Sequence, residues 1–222
     1  MKFSKYIMSA AIAIVTAATS LSAAGQEAET ENFSYVPHIH GAMRARWEGE
    51  LDADRSRFQL RNARVTLDGG IAPTIDYFLQ VDLCDQGTMK FLDGWARIKV
   101  TRGLAFQAGQ FRMPFGVDPF KAPANYIFSN RSFIGKQVCN VRAVGAKASY
   151  DFDKIPLTLE GGIFNPTSIN DHTGWNSSYA YAGRAIYHAG HLKFDAGVQS
   201  LRPDGIRINL YDACVNWTAG RW

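Results

Sequence analysis

From Ile75 to Leu83 the chain alternates strictly. Ile75, Tyr77, Leu79, Val81 and Leu83 are apolar, and Asp76, Phe78, Gln80 and Asp82 stand between them. A side-chain period of two is the repeat of a β-strand with one apolar and one largely polar face. The same period recurs along the chain. Ile39, Met43, Ala45 and Trp47 oppose His38, His40, Arg44 and Arg46. Leu92, Ala96, Ile98 and Val100 oppose Asp93, Trp95, Arg97 and Lys99. Leu192, Phe194, Ala196 and Val198 oppose Lys193, Asp195 and Gln199. One segment breaks phase: its apolar face is Phe58 and Leu60, then Ala63, Val65 and Leu67. A bulge, or a slip in placing the strand, puts that break at Arg61–Asn62. Ten strands are predicted, near 36–47, 57–68, 74–84, 91–101, 104–113, 140–151, 156–164, 177–188, 191–201 and 206–217. No helical period appears between them, so the fold class is all-β.

The first 25 residues stand apart. Lys2 and Lys5 precede an uncharged stretch, Tyr6–Leu21, and small residues follow up to Gly25. This is the layout of a secretory signal peptide, too short in its apolar heart for a spanning helix. Residues 26–222 then form the exported domain. Losing Lys2 and Lys5 lowers the formal charge from +4 to +2, too little to argue for a nucleic-acid partner. Cys84, Cys139 and Cys214 are an odd set in an exported chain, leaving one bridge plus one thiol, or three thiols, open.

Alternation alone suits either a soluble sandwich, with its apolar face inward, or a transmembrane barrel, with its apolar face on lipid. Three features favour the barrel. Strands of about 10–12 residues suit a tilted membrane crossing. Short connections at 68–73, 101–103, 151–156 and 188–191 alternate with longer ones at 48–55, 84–90, 114–138 and 165–175, as periplasmic turns alternate with outer loops. Trp47, Tyr150, Tyr187 and Trp217 fall near strand ends, where an interfacial aromatic girdle sits.

The segment Gly109–Val138, "GQFRMPFGVDPFKAPANYIFSNRSFIGKQV", has no clear period. Compact domains carry so long a connection when it is functional or disordered. With "RFQLRNARVTLDGG", "LDGWARIKV", "NVRAVGAKASY" and "GGIFNP" in the same order, it resembles the phosphate-selective porin O and P family. The resemblance runs over about residues 33–222, and "GQFRMPFG" is its most specific piece. It implies an outer-membrane antiparallel β-barrel, usually of sixteen strands and often trimeric, through which small solutes diffuse. It also implies that the long third loop narrows the pore. Ten strands and an ending of "VNWTAGRW" lead us to expect an N-terminal portion of such a barrel, incomplete at its C-terminus. The alternative is a small closed ten-stranded barrel.

If the apolar faces meet lipid, Arg44, Arg46, Arg57, Arg64, Arg97 and Lys99 point into the lumen. Rings of Arg and Lys favour anions. Window 112–142 adds Arg112, Lys121, Arg131, Lys136 and Arg142 against one acid, Asp118. Positive charge is thus concentrated around loop 114–138, the expected constriction. The plainer reading is that lumen arginines pair with Asp76, Asp82 and Asp93 on neighbouring strands. Cys84 and Cys139 flank the second and third loops, where a disulfide would clamp the longer one. His188 and His191 bracket a tight turn without a carboxylate or cysteine beside them. Metal sites need three or four converging ligands, so no metal and no cofactor is expected, and no nucleophile-elbow sequence suggests catalysis. The expected function is passive diffusion of small, preferentially anionic solutes, with outer-membrane lipid as the surroundings and a homotrimer as the assembly. The competing readings are a barrel enzyme and a soluble glycan-binding sandwich.

Overall fold

The computed structural model describes residues 33–50, 55–85, 87–116, 141–166, 174–202 and 205–218. They form ten strands: β1 His38–Glu50, β2 Arg55–Ala72, β3 Ile75–Asp85, β4 Thr88–Lys99, β5 Leu104–Arg112, β6 Arg142–Asp151, β7 Leu157–Phe164, β8 Ala180–Ala189, β9 Leu192–Leu201 and β10 Ile208–Trp217. All ten join one sheet in chain order, each antiparallel to the next. The sheet is an open meander with β1 and β10 at its edges. A closed ten-stranded barrel is therefore not formed by these strands.

Each predicted strand is present, with shifted ends. β2 runs on to Ala72, so the connection expected at 68–73 shrinks to Pro73–Thr74. The longer connection expected at 84–90 is also shorter: Asp85 pairs with Thr88 across a tight hairpin. The phase break in β2 is a bulge. Arg44 pairs with Asn62 and Ala45 with Leu60, so Arg61 is the extra residue. A second bulge falls at Leu92, between Val81↔Phe91 and Gln80↔Asp93. This corrects the reading of Leu92 as a member of the apolar face. Leu92 is buried, and Phe91 is exposed in its place.

Exposure is inverted relative to a soluble protein. Phe58, Met43 and Tyr211 are 88%, 78% and 76% exposed, whereas Asp82, Asp195 and Gln199 are 0%, 2% and 2% exposed. Soluble monomers rarely leave so wide an apolar surface open. A sandwich would bury its apolar faces between two sheets; here there is one sheet with its polar face covered. That is the arrangement of a lipid-facing barrel wall. Exposed aromatics gather towards the rims. Tyr187 and Phe194 lie 6.4 Å apart near one, with Tyr150, Phe152 and Trp217. Trp47 pairs with Phe58 towards the other. Among the described residues no helix is long and apolar enough to span a membrane, which says nothing of strands.

The small apolar core lies on the covered side. Phe111, Met113, Ala143, Phe164, Ala180 and Ala182 pack together there. They come from β5 to β8 and from Met113, the first residue after β5.

Candidate functional site

The polar face carries a lattice of ion pairs between strands. Arg64 Nε on β2 donates to Asp82 Oδ2 on β3 at 3.0 Å, and Asn62 and the Ala63 amide donate to the same carboxylate. Two arms meet Asp76 on β3: Arg97 Nη2 at 2.8 Å and Lys99 Nζ at 3.0 Å from Oδ2. Arg142 on β6 reaches across β5 to Asp93 on β4, with Nε to Oδ1 at 3.0 Å and Nη2 to Oδ2 at 2.9 Å. Two parallel N–H···O bonds fix both groups, because the guanidinium fork matches the carboxylate. Lys147 pairs with Glu160. Arg184 on β8 holds Asp195 on β9, with Nε to Oδ1 at 2.7 Å. The plain reading thus describes Asp76, Asp82 and Asp93: each faces a basic partner.

Within this lattice lies a cavity of about 520 Å³ against β1 to β6. Arg64, Arg97, Arg112, Arg142 and Lys147 line it, with Asp93 the one acidic lining residue among those described. Phe78, Trp95 and Phe111 also face it. The Phe78 and Trp95 rings are cross-strand partners, 5.3 Å apart and 9° from parallel. Arg97 Cζ lies 5.5 Å from the Trp95 ring centre, within reach of a cation–π contact.

The other predicted arginines lie elsewhere. Arg46 binds Gln59 Oε1 at 3.0 and 2.9 Å and Glu48 at 2.7 Å. Arg57 pairs with Glu48 at 2.7 Å, where its side chain is largely exposed. Arg44 is half-buried on β1 and does not line the cavity, although Gly41 and Ala42 do. Lys99 shares Asp76 but does not line the cavity either. Lys121, Arg131, Lys136 and Cys139 lie outside the described residues. Cys84 carries a free thiol whose Sγ lies 3.5 Å from the Leu60 carbonyl oxygen.

Sequence reasoning missed Lys147, although the period of β6 marks it: Ala143, Gly145, Lys147 and Ser149 share one parity. It also passed over Arg184 and Asp195, the most deeply buried ion pair. There, Arg184 stands among alanines and glycines, with nothing local to announce its partner.

The residues after β5 turn back over the covered face. Met113, Pro114 and Phe115 are almost wholly buried. Gln199 Nε2 on β9 lies 3.2 Å from Met113 Sδ, and the Gly116 amide hydrogen-bonds the Asp212 carboxylate on β10. Gly197 makes room for this crossing: a Cβ there would stand 3.2 Å from the Phe115 ring and 2.2 Å from Asp212 Oδ1. Upstream, Gly109 takes φ +132° at a point where a side chain would meet the Gly94 carbonyl oxygen at 2.2 Å. Only glycine fits so close an approach between β4 and β5.

Comparison with known proteins agrees with this architecture. No curated protein matches the sequence. Among solved structures, the sheet is similar to OmpTdeltaL8, a loop L8 deletion mutant of OmpT, an outer membrane protein of Vibrio cholerae. The TM-score is 0.52 at 12% identity, covering 83% of this chain and 65% of that one. At that identity the likeness concerns the fold, and the chain spans about two thirds of the length of that structure. The sequence comparison goes further, because residues 42–214 match phosphate-selective porin O and P. That match spans most of the chain, which therefore belongs to the phosphate-selective porin O and P family.

Proposed function

We propose that this chain builds the wall of a passive outer-membrane pore that prefers small anions, inorganic phosphate among the candidate solutes. The observation that carries the reading is the cavity on the covered face: among the described residues five basic side chains line it and one acid, Asp93, while the paired Asp76, Asp82 and Glu160 stand outside the lining. Basic residues along a pore favour anions by their field, without selecting one ligand. Loop 114–138 acts as the constriction. Support comes from its first residues, which leave β5 and pack against β9 and β10 instead of standing clear of the rim. The apolar outer face and its rim aromatics suit a Gram-negative outer membrane, and residues 1–25 would direct export there. Three such walls packing as a homotrimer would follow the family habit. Transport is diffusion, with no catalytic step.

Planar-bilayer recording of the full chain tests this. Discrete conductance steps are expected, with a reversal potential of anionic sign in a potassium chloride gradient. Replacing Lys121, Arg131 and Lys136 by Glu together shifts that potential towards cations. Absence of steps would overturn the pore, and an unmoved potential in the triple variant would overturn the constriction.

A further inference from the structure

Two aromatic side chains occupy positions that the period of their strands gives to the covered, polar face. Phe78 lies between Asp76 and Gln80, and Trp95 lies between Asp93 and Arg97. Both are partly exposed, and both face the cavity. In a wet lumen such rings hold apolar surface against water, which is unfavourable by roughly 25 cal/mol per Å². They also form a column, Phe78 on Trp95 on Arg97, with spacings of 5.3 and 5.5 Å.

Resting on the reading of an anion pore, we infer that this cavity binds aromatic carboxylates in preference to saturated ones. Trp95 is flanked two residues away on either side: by Arg97, and by Asp93, which holds Arg142. Two residues along a strand are about 6–7 Å, so a carboxylate on a ring meeting the exposed edge of the Phe78–Trp95 stack reaches a guanidinium on either side. Donors remain for it. Arg97 and Arg142 commit Nε and Nη2 to their acids, leaving Nη1 without a bond among the described residues. Arg64 commits only Nε, leaving both terminal nitrogens without a bond among the described residues. These groups and Lys147 donate and never accept, and both Asp93 oxygens are already taken by Arg142. A neutral sugar would find acceptors in the lining only at a few neutral side chains such as Thr66, Gln80 and Gln107. A planar anion uses the more numerous cationic donors and the exposed ring edges. Offset or edge-to-face contact with Phe78 and Trp95 supplies the preference for a π-system.

Isothermal titration of the full chain in detergent micelles with benzoate, cyclohexanecarboxylate and inorganic phosphate tests the inference. Benzoate is expected to bind about five-fold more tightly than cyclohexanecarboxylate, the ratio of a typical aromatic contact. Trp95→Leu should bring that ratio to about one, and Trp95→Phe should retain most of it. Phe78→Leu, on the neighbouring strand, should lower it too, so the result does not hang on one variant folding. A ratio of one in the unaltered protein, or a ratio that survives both leucine variants, overturns the inference. Phosphate binding with a ratio of one removes only the aromatic preference. No binding of any of the three anions, with a reversal potential at zero, removes the anion-pore reading as well.

Discussion

At the scale of single residues, the lumen face is governed by charge neutralisation in a partly desolvated wall. Burying one ion is far costlier than burying a matched pair, so a lone charge on the covered face would be strongly destabilising. Arg184 and Asp195 have side chains 4% and 0% exposed, so neither can turn to water if the other is lost. Asp195→Ala should cost about 3 kcal/mol, the lower end for breaking a buried ion pair, because the Asp212 carboxylate also stands near Arg184. A lower urea midpoint in detergent would show it, and an unchanged midpoint would mean that water reaches Arg184. Asp93→Asn acts differently, because Arg142 lines the cavity. It removes the acid that neutralises a cavity-facing guanidinium, so on the proposed anion pore the reversal potential should move further towards anions. These pairings could only partly be read in the chain. Asp76, Asp82 and Asp93 show themselves by parity, and so do Arg64 and Arg97. Arg142 with Asp93 does not, because that bond skips β5, and a local period says nothing of pairing across an intervening strand.

At the scale of elements, the decisive piece is the turn after β5. A strand that leaves the sheet edge-on normally continues out past the rim. Here Met113–Gly116 crosses the covered face instead, held by Gln199, Asp212 and the gap at Gly197. Gly197→Val places methyl groups where the Phe115 ring and the Asp212 carboxylate now stand. The segment should lift away, and single-channel conductance should rise while strand content by circular dichroism stays the same. Equal conductance would mean that the crossing does not narrow the path. The sequence marked this stretch as unusual through its prolines, its aromatics and its lost period. It could not say which way the chain turned, because direction is set by contacts with β9 and β10, about ninety residues downstream.

At the scale of the whole molecule, lipid and water exchange their usual places. Leu79 and Gln80 are neighbours on β3 that point to opposite faces. Leu79→Arg puts a charge on the apolar face and should cost about 2–4 kcal/mol if that face lies in hydrocarbon near the midplane. Gln80→Arg, on the cavity-lining face, should cost clearly less, about 1 kcal/mol for the lost Thr66 hydrogen bond. Refolding into detergent or lipid, followed by urea titration, compares the two. Similar small effects would mean that the apolar face meets water. The amino-acid sequence by itself determined the strands, their number and the separation of an apolar from a polar face, since a period of two needs only the backbone's own geometry. It also determined two departures from that pattern. The break at Arg61–Asn62 is a true bulge, and the aromatic pair Phe78 and Trp95 stands on the polar side. Tertiary structure decided which face is covered, which cation meets which acid and where the segment after β5 comes to rest. Those outcomes depend on pairing across many strands, where distances between side chains far apart in sequence, and not the local period, set the electrostatic and packing energies.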